Sequence, residues 1–207
     1  MSHARRQEPS SDANRQNYSN IRTTKIAGPL QAIDFFVVPT VKFRVLFVFI
    51  VLAHGRRRIL HFNVTEHPMA QWTAQQLVEA FPFDTAPRYL LRDGDGIYKS
   101  EKVWRRIESL NINEVVTASA SPWQNAYVER VIGSIRREIL NHVIVLNEAH
   151  LRRLLSRYID YYHHWRTHRS LDMDAPNGRS FHSVGSGNVI EFPAVHGLHH
   201  YYLPKAA

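Results

Sequence analysis

Three apolar segments rich in β-branched and aromatic residues follow one another in the first third of the chain. They cover residues 31–38, 42–53 and 57–64, and only a break at Pro39 and a His-Gly-Arg turn signal at 54–56 separate them. Connections this short join antiparallel neighbours, because a parallel crossover needs a dozen residues or more. The pattern therefore predicts a three-stranded antiparallel meander.

Strand-like and helical segments alternate after the meander. The predicted helices cover residues 66–81, 101–110, 125–138 and 148–165, and the predicted strands cover residues 88–93 and 113–118. Strands that alternate with helices favour a sheet with helices packed on it. We therefore predict an α/β protein with a mixed five-stranded sheet flanked by helices. In this sheet the first strand is central and the fourth strand lies beside it.

The two ends of the chain lack these patterns. Residues 1–28 are polar and rich in Ser, Asn and Arg, which predicts a flexible basic arm. Regular signals fade after residue 172, so we predict a core over residues 29–172. The remaining residues, 173–207, are predicted to form a C-terminal tail with one or two small strands.

Three carboxylates lie at positions of the predicted fold that suggest a functional site. Asp34 lies within the first apolar strand, where an unpaired charge is costly. Asp93 ends the fourth strand, at an edge where α/β sheets commonly carry their sites. Glu129 lies near the start of a long helix, and 35 residues separate it from Asp93. If the first and fourth strands are neighbours, the three acids converge, and such clusters are usually held together by Mg²⁺ or Mn²⁺.

Each acid also has an ordinary structural interpretation. Asp34 could be held in a structural salt bridge, and Asp93 could serve the Asp-Gly-Asp-Gly turn that it begins. Glu129 could pair with Arg130 or Arg136 on its own helix. The three acids together favour a metal site more than any one does alone, because a two-metal carboxylate cluster suits phosphodiester chemistry.

The chain has a formal net charge of +8 and contains no cysteine. The excess of Lys and Arg favours anionic partners, although a basic protein without a nucleic-acid partner remains an alternative on charge alone. The lack of cysteine excludes a disulfide framework and Cys-containing zinc sites. The longest apolar run, residues 45–53, is too short to span a bilayer, which needs ~20 residues. The N-terminal arm has no apolar segment of a secretory signal.

Several segments closely resemble the integrase catalytic core of bacterial insertion-sequence transposases, a retroviral-integrase-like group with a D, D-35-E triad. They are IDFF at 33–36, VLAHGRRRI at 51–59, YLLRDGDGIY at 89–98, SPWQNAYVERVIGSIRREIL at 121–140, the stretch that ends in SLDMDAP at 141–176, and GNVIEFPAVHGLHHYYL at 187–203. The resemblance covers roughly residues 30 to 204. It identifies the predicted core of residues 29–172 as an integrase catalytic core.

The resemblance implies a ribonuclease H-like fold that binds two Mg²⁺ or Mn²⁺ ions. In that family, water first attacks a phosphodiester at a transposon end, and the exposed 3′-hydroxyl then attacks target DNA. The family triad falls on Asp34, Asp93 and Glu129 as catalytic and metal-binding residues. The positions implied to lie near DNA are Asn125, Arg130, Arg136 and Arg137.

The resemblance also implies the surroundings in which the core works. Its partners would be transposon ends and target DNA, and it would act as a homo-oligomer on DNA in the bacterial cytoplasm, at the nucleoid. Relatives usually carry an N-terminal helical DNA-binding region, so we expect a separate region or protein to supply it here. Gly94 replaces an expected basic residue, and Ser119-Ala120 replaces an expected Pro-Arg. A truncated, non-catalytic remnant that binds DNA or oligomerises is the alternative interpretation.

Overall fold

The computed structural model describes residues 29–117, 125–179 and 188–204. Within these ranges the chain forms a five-stranded sheet, four α-helices and a separate two-stranded sheet. The strands of the large sheet are Leu30–Pro39 (β1), Val45–Ala53 (β2), Ile59–Thr65 (β3), Tyr89–Arg92 (β4) and Asn113–Val116 (β5). The helices are Ala70–Ala80 (α1), Glu101–Ser109 (α2), Ala126–Glu138 (α3) and Glu148–His164 (α4). The small sheet consists of Val189–Ala194 (β6) and His199–Pro204 (β7).

The large sheet has the strand order β3-β2-β1-β4-β5, so β1 lies at its centre. β1, β2 and β3 pair in an antiparallel meander, in which Gln31 stands opposite Ala53 and Pro39 opposite Val45. β4 runs parallel to β1, and β5 runs parallel to β4. The predicted mixed five-stranded sheet, with β1 central and β4 beside it, is confirmed.

Successive side chains of β1 point to opposite faces of the sheet and enter two separate cores. Ala32 and Phe36 belong to the larger core, which α3 and α4 close with residues such as Val128 and Leu155. Ile33 belongs to the smaller core on the other face, which α1 and α2 close. Because both faces of the central strands are covered, these strands are apolar almost throughout, as the sequence showed.

Helix α4 is capped at its start and packs on the sheet along one side. Asn147 caps the helix, because its Oδ1 accepts a hydrogen bond of 2.8 Å from the backbone N–H of His150. The buried face of the helix repeats at helical spacing through Leu151, Leu154, Leu155, Tyr158 and Tyr162. These contacts fix the segment that follows α4 relative to the sheet.

The predicted elements agree with the observed ones apart from their ends. The first helix begins at Ala70, four residues later than predicted. β4 ends at Arg92, so the prediction that Asp93 is the last residue of this strand is wrong by one position. The predicted arm of residues 1–28 lies outside the described ranges, and the domain boundary at residue 172 stays a prediction.

The C-terminal tail forms the hairpin β6–β7 and packs near the end of α4. The ring of Tyr201 lies between the rings of Trp165 and Phe192, with centroid distances of 4.0 and 5.3 Å. His199 stacks on Tyr161 at 4.7 Å. Across the described ranges, we find no helix with the length and apolar character that a membrane span requires.

Candidate active site and nucleic-acid interface

Asp34 lies in the middle of β1, on the face of the sheet that α3 and α4 cover. It stands opposite Ile50 of β2 and shares the parity of its neighbours Ala32 and Phe36. β4 pairs with β1 from Leu30 opposite Tyr89 to Ala32 opposite Leu91. Continuing that register by two residues places Asp34 level with Asp93, the residue that follows β4.

The environment of Asp34 disfavours its charged form. Burial raises the pKa of its carboxyl group from 3.8 to about 7, against the effect of a hydrogen bond of 2.7 Å that the backbone N–H of Phe35 donates to Oδ1. The negative charges of Asp93, Glu129 and Asp95 raise this pKa further. The side chains that act on Asp34 electrostatically are therefore all acidic, and the interpretation of Asp34 as part of a structural salt bridge finds no support among the described residues.

Asp93 is held in place by the residues around it. The guanidinium group of Arg92 makes two hydrogen bonds, of 2.7 and 2.9 Å, to the carboxylate of Glu114 on β5 and one of 2.8 Å to the carbonyl oxygen of Asp93. Asp93 Oδ1 accepts a hydrogen bond from the backbone N–H of Asp95 at 3.2 Å. Burial raises the pKa of Asp93 above 3.8. Asp93 thus serves the turn, and its carboxylate also lies at the carboxyl end of a parallel strand.

Glu129 lies in the first turn of α3 and is exposed. Its charge reaches Asp34, as the raised pKa of Asp34 shows. No ion pair joins Glu129 to Arg130 or Arg136 among the described residues, since neither arginine has a described acidic partner. The structure therefore brings Asp34, Asp93 and Glu129 to one side of the sheet; we call this group the acidic site.

The acidic site has oxygen atoms that can bind a divalent cation. These atoms do not surround a single point as a complete set of ligands. Carboxylate oxygens are the ligands that Mg²⁺ and Mn²⁺ prefer, and the mutual repulsion that raises the pKa of Asp34 is what a cation would relieve. As the side chains stand, no three Asp, Glu, His or Cys residues of ranges 29–117, 125–179 and 188–204 are arranged to hold a metal ion. Ligation would require rotamer changes, above all at the exposed Glu129.

Two buried polar groups, one before α3 and one near Asp34, have no hydrogen-bond partner among the described residues. Asn125 precedes α3 and is 4% exposed, and its Oδ1 is unpaired. The hydroxyl group of Tyr98 is also buried and unpaired, and burial together with the charges of Asp34 and Asp93 raises the pKa of Tyr98. Sequence reasoning selected Asn125 but missed Tyr98, because the residue looks like ordinary core until β1 and the loop after β4 are placed together.

The outer face of α3 carries uncompensated positive charge. Arg130, Arg136 and Arg137 are all exposed, and the part of the chain that the structure describes gives none of them an acidic partner. Glu138, at the end of the same helix, is occupied elsewhere: Arg166 binds its two carboxylate oxygens at 2.6 and 2.8 Å, and the hydroxyl group of Tyr158 donates to it at 2.8 Å. An exposed row of arginines suits contact with phosphate groups.

A cavity of about 620 Å³ opens beside α3 and is bordered by four arginines. We call it the basic cavity, and its polar and aromatic lining includes Arg57, Tyr127, Arg130, Arg166, His168 and Arg169. The turn that carries Arg57 is fixed by its neighbour Arg56, which donates to Asp174 Oδ2 at 2.5 Å and to the carbonyl oxygens of Ala175 and Pro176 at 2.8 Å. Sequence reasoning missed this cavity because its lining comes from three segments that are far apart in the chain, the turn after β2, helix α3 and the segment that follows α4.

Comparison with known proteins gives the family context of this fold. Residues 110–176 match the family model described as "Integrase core domain". This range contains Glu129 and α3 but neither Asp34 nor Asp93. No curated protein matches the chain.

Solved structures with the same fold include viral integrases and a transposase. A chain of the simian T-cell lymphotropic virus intasome, determined in complex with PP2A regulatory subunit B56 gamma, has a TM-score of 0.61 and 12% sequence identity. The match covers 84% of this protein and 66% of the intasome chain, which is just under two thirds of its length. The HTLV-2 integrase catalytic core domain in complex with magnesium has a TM-score of 0.54 and 11% identity, over 73% of this protein and 91% of that chain.

The catalytic domain of Mos1 mariner transposase is also similar. Its TM-score is 0.53 at 12% identity, over 74% of this protein and 84% of that chain. At such low identity the likeness concerns the fold alone. It confirms the predicted fold class, a mixed five-stranded sheet with flanking helices of the ribonuclease H-like type that catalytic cores of integrases share.

Proposed function

We propose, from the match of residues 110–176 to the integrase core domain, that this chain cleaves DNA at transposon ends and joins the ends to target DNA. Asp34, Asp93 and Glu129 are the proposed catalytic residues and the proposed ligands of Mg²⁺ or Mn²⁺, two ions per site. The family match supports DNA integration or transposition as the general function, and the assignment of the three residues is our own.

One observation carries the proposal. Burial and three acidic neighbours raise the pKa of Asp34 to about 7, and no described basic side chain lowers it. Like charges that lie close together in a half-buried position do not stabilise a folded chain. Such an arrangement is therefore typical of a functional site. The HTLV-2 integrase catalytic core domain has the same fold and was solved in complex with magnesium. This supports a divalent cation as the counter-charge of the three carboxylates.

The acidic site and the surface beside it have different proposed roles, catalysis and DNA binding. Bound metal ions would activate the attacking oxygen and stabilise the leaving oxygen of the phosphodiester. Asp34 lies in β1 and Asp93 directly follows the adjacent strand β4, so the sheet positions both, whereas Glu129 lies on the exposed side of α3, where it can move toward them. Arg130, Arg136 and Arg137 would hold the DNA backbone, and the unpaired Oδ1 of Asn125 would accept a hydrogen bond from DNA or from water.

The assembly and the remaining regions belong to the same proposal. Two transposon ends must be joined together, so we infer a homo-oligomer on DNA, and the HTLV-2 integrase catalytic core domain has been solved in a trimeric form. Residues 29–172 are the proposed catalytic core, and residues 173–207 are the proposed tail. A separate DNA-binding region or protein would select the transposon ends.

The test is a DNA cleavage and strand-transfer assay with a labelled transposon end and Mn²⁺ or Mg²⁺. We expect products from the unaltered protein and a loss of about 100-fold or more for Glu129→Gln, since such substitutions remove a group that acts in the transition state. Glu108→Gln is the matched control, because Glu108 is an exposed acid near the end of α2, remote from the acidic site. Equal products from the unaltered protein and Glu129→Gln would refute the assignment of the triad.

A non-catalytic DNA-binding role is the second candidate function. The observation that favours it is the lack of a closed metal-ligand group among the described residues. In the same assay, DNA binding without any product, at all metal concentrations tested, would select this candidate.

A further inference from the structure

The basic cavity is a second place where the surface is built to receive a ligand. Its volume of about 620 Å³ lies within the range of small-molecule and cofactor sites, ~300–1,000 Å³. Its walls come from the turn after β2, one stripe of α3 and the segment that follows α4. This stripe consists of Tyr127, Arg130, Val131 and Ser134, which are spaced as one side of a helix.

The charges around the basic cavity are only partly compensated. Arg166 is neutralised by Glu138, which it binds through two hydrogen bonds. Arg130 and Arg169 are exposed at the rim of the cavity, and within the described residues neither has an acidic partner. An anion that enters the cavity would therefore meet two free guanidinium groups, which bind phosphate oxygens with directed hydrogen bonds.

The basic cavity also has a flat, partly aromatic surface, where the turn after β2 meets α3. The guanidinium group of Arg57 lies 3.4 Å above the ring of Tyr127, and the ring of His54 meets the same tyrosine edge-on at 4.9 Å. Both planar aromatic rings and guanidinium planes are surfaces on which nucleic-acid bases stack. Met173 adds an exposed apolar side chain beside them.

His168 supplies a neutral polar group on the inner side of the cavity. Burial and the nearby charge of Arg166 lower the pKa of His168 to about 4, so its ring is uncharged at pH 7. Its Nε2 is buried and has no partner among the described residues. An uncharged ring at this position adds no further positive charge to the lining of the cavity.

The basic cavity and the acidic site share helix α3. Arg130, which lines the cavity, directly follows Glu129 in the chain, and Glu129 lies about 100° further round the helix, away from the cavity stripe. A DNA strand with one phosphodiester at Glu129 would thus reach the cavity within a few nucleotides. A base can stack on the cavity lining only when it is unpaired, because in a duplex the faces of each base stay stacked on its neighbours.

We propose that the basic cavity binds one unpaired nucleotide of the DNA strand whose phosphodiester lies at the acidic site. Arg130 and Arg169 take its phosphate, and the stacked pair of Arg57 and Tyr127 takes its base. This inference rests on the proposed function for the identity of the ligand as DNA. It adds a site that favours strands with an unpaired end over blunt duplexes.

The experiment compares two fluorescent DNA hairpins, one blunt and one with a three-nucleotide 3′ overhang, by anisotropy titration in EDTA. We expect the overhang to bind the unaltered protein about tenfold more tightly than the blunt hairpin. Arg169→Gln and Tyr127→Leu should each remove most of this preference, whereas an abasic overhang should lose it on the unaltered protein. Arg153→Gln is the matched control, because Arg153 is an exposed arginine of α4 that does not line the cavity.

The proposal would be overturned if the variants lost equal affinity for both hairpins, or if Arg153→Gln lost as much of the overhang preference as Arg169→Gln. General charge would then explain the binding. Thermal melting of each variant shows whether it is folded, and Tyr127→Leu tests the base wall without changing charge. Because the titration needs neither metal nor catalysis, Glu129→Gln should keep the overhang preference. A result that refutes nucleotide binding in the basic cavity can therefore be distinguished from a result that refutes the assignment of the triad.

Discussion

Replacing Asp34 by asparagine should stabilise the metal-free protein at high pH. The folded-state pKa of about 7 lies above the ordinary value of 3.8, so the folded chain binds this proton more tightly than the unfolded chain does. Its contribution to stability is therefore lost as the pH rises from about 4 to about 7, and above pH 7 the ionised carboxylate destabilises the fold. The amide introduced by Asp34→Asn would carry no charge and would keep an oxygen for the N–H of Phe35.

The structure sets the size of this effect. A pKa difference of about three corresponds to an upper limit of about 4 kcal/mol, and the partial solvent contact of Asp34 reduces it to about 2 kcal/mol. For a chain of this length, 1 kcal/mol moves the melting temperature by roughly 2–4 °C. We therefore expect Asp34→Asn to melt about 5 °C higher than the unaltered protein at pH 8.

The assay is differential scanning fluorimetry in EDTA from pH 4 to pH 8. The difference between Asp34→Asn and the unaltered protein should vanish near pH 4, where both side chains are neutral. Asp84→Asn, which changes an exposed carboxylate in the loop after α1, is the matched control and should melt within about 1 °C of the unaltered protein. A difference that does not depend on pH, or a lower melting temperature at pH 8, would refute the electrostatic account of Asp34.

Two further predictions concern the end of α3 and its outer face. Arg166→Gln should lower the free energy of unfolding in urea by about 2–3 kcal/mol, because the half-buried carboxylate of Glu138 would keep only the hydroxyl group of Tyr158 as a partner. An unchanged urea midpoint would contradict this prediction. The double substitution Arg136→Gln and Arg137→Gln should reduce the slope of log K against log salt for duplex DNA by about 2, and an unchanged slope would show that these side chains do not contact phosphates.

Much of the fold follows from patterns that are visible in the sequence. The meander was predictable because its strands are close in the chain, and β1 could be placed at the centre because the first strand of a mixed sheet that begins with a meander is central. The end of β4 was predicted one residue late, because the charged pair Arg92-Asp93 looks the same whether or not its second member pairs with a neighbouring strand. Local pattern determines which elements form, whereas pairing determines where they end.

The acidic site and the basic cavity differ in how far they could be foreseen. The acids were selected because the placement of Asp34 and the spacing from Asp93 to Glu129 are unusual for structural carboxylates. Arg57 and Arg169 gave no comparable signal, since surface arginines are common in a basic chain. They meet only because Arg56 fastens the turn after β2 to Asp174, a contact between segments that no local pattern connects.

The central claim is that Asp34, Asp93 and Glu129 act as one metal-binding site, and titration with Mn²⁺ tests it most directly. Isothermal calorimetry and the electron paramagnetic resonance of free Mn²⁺ together give the affinity and the number of bound ions. We predict two ions for the unaltered protein and for Glu108→Gln, and the loss of at least one ion for each of Asp34→Asn, Asp93→Asn and Glu129→Gln. The same stoichiometry and affinity in all five proteins would contradict the account.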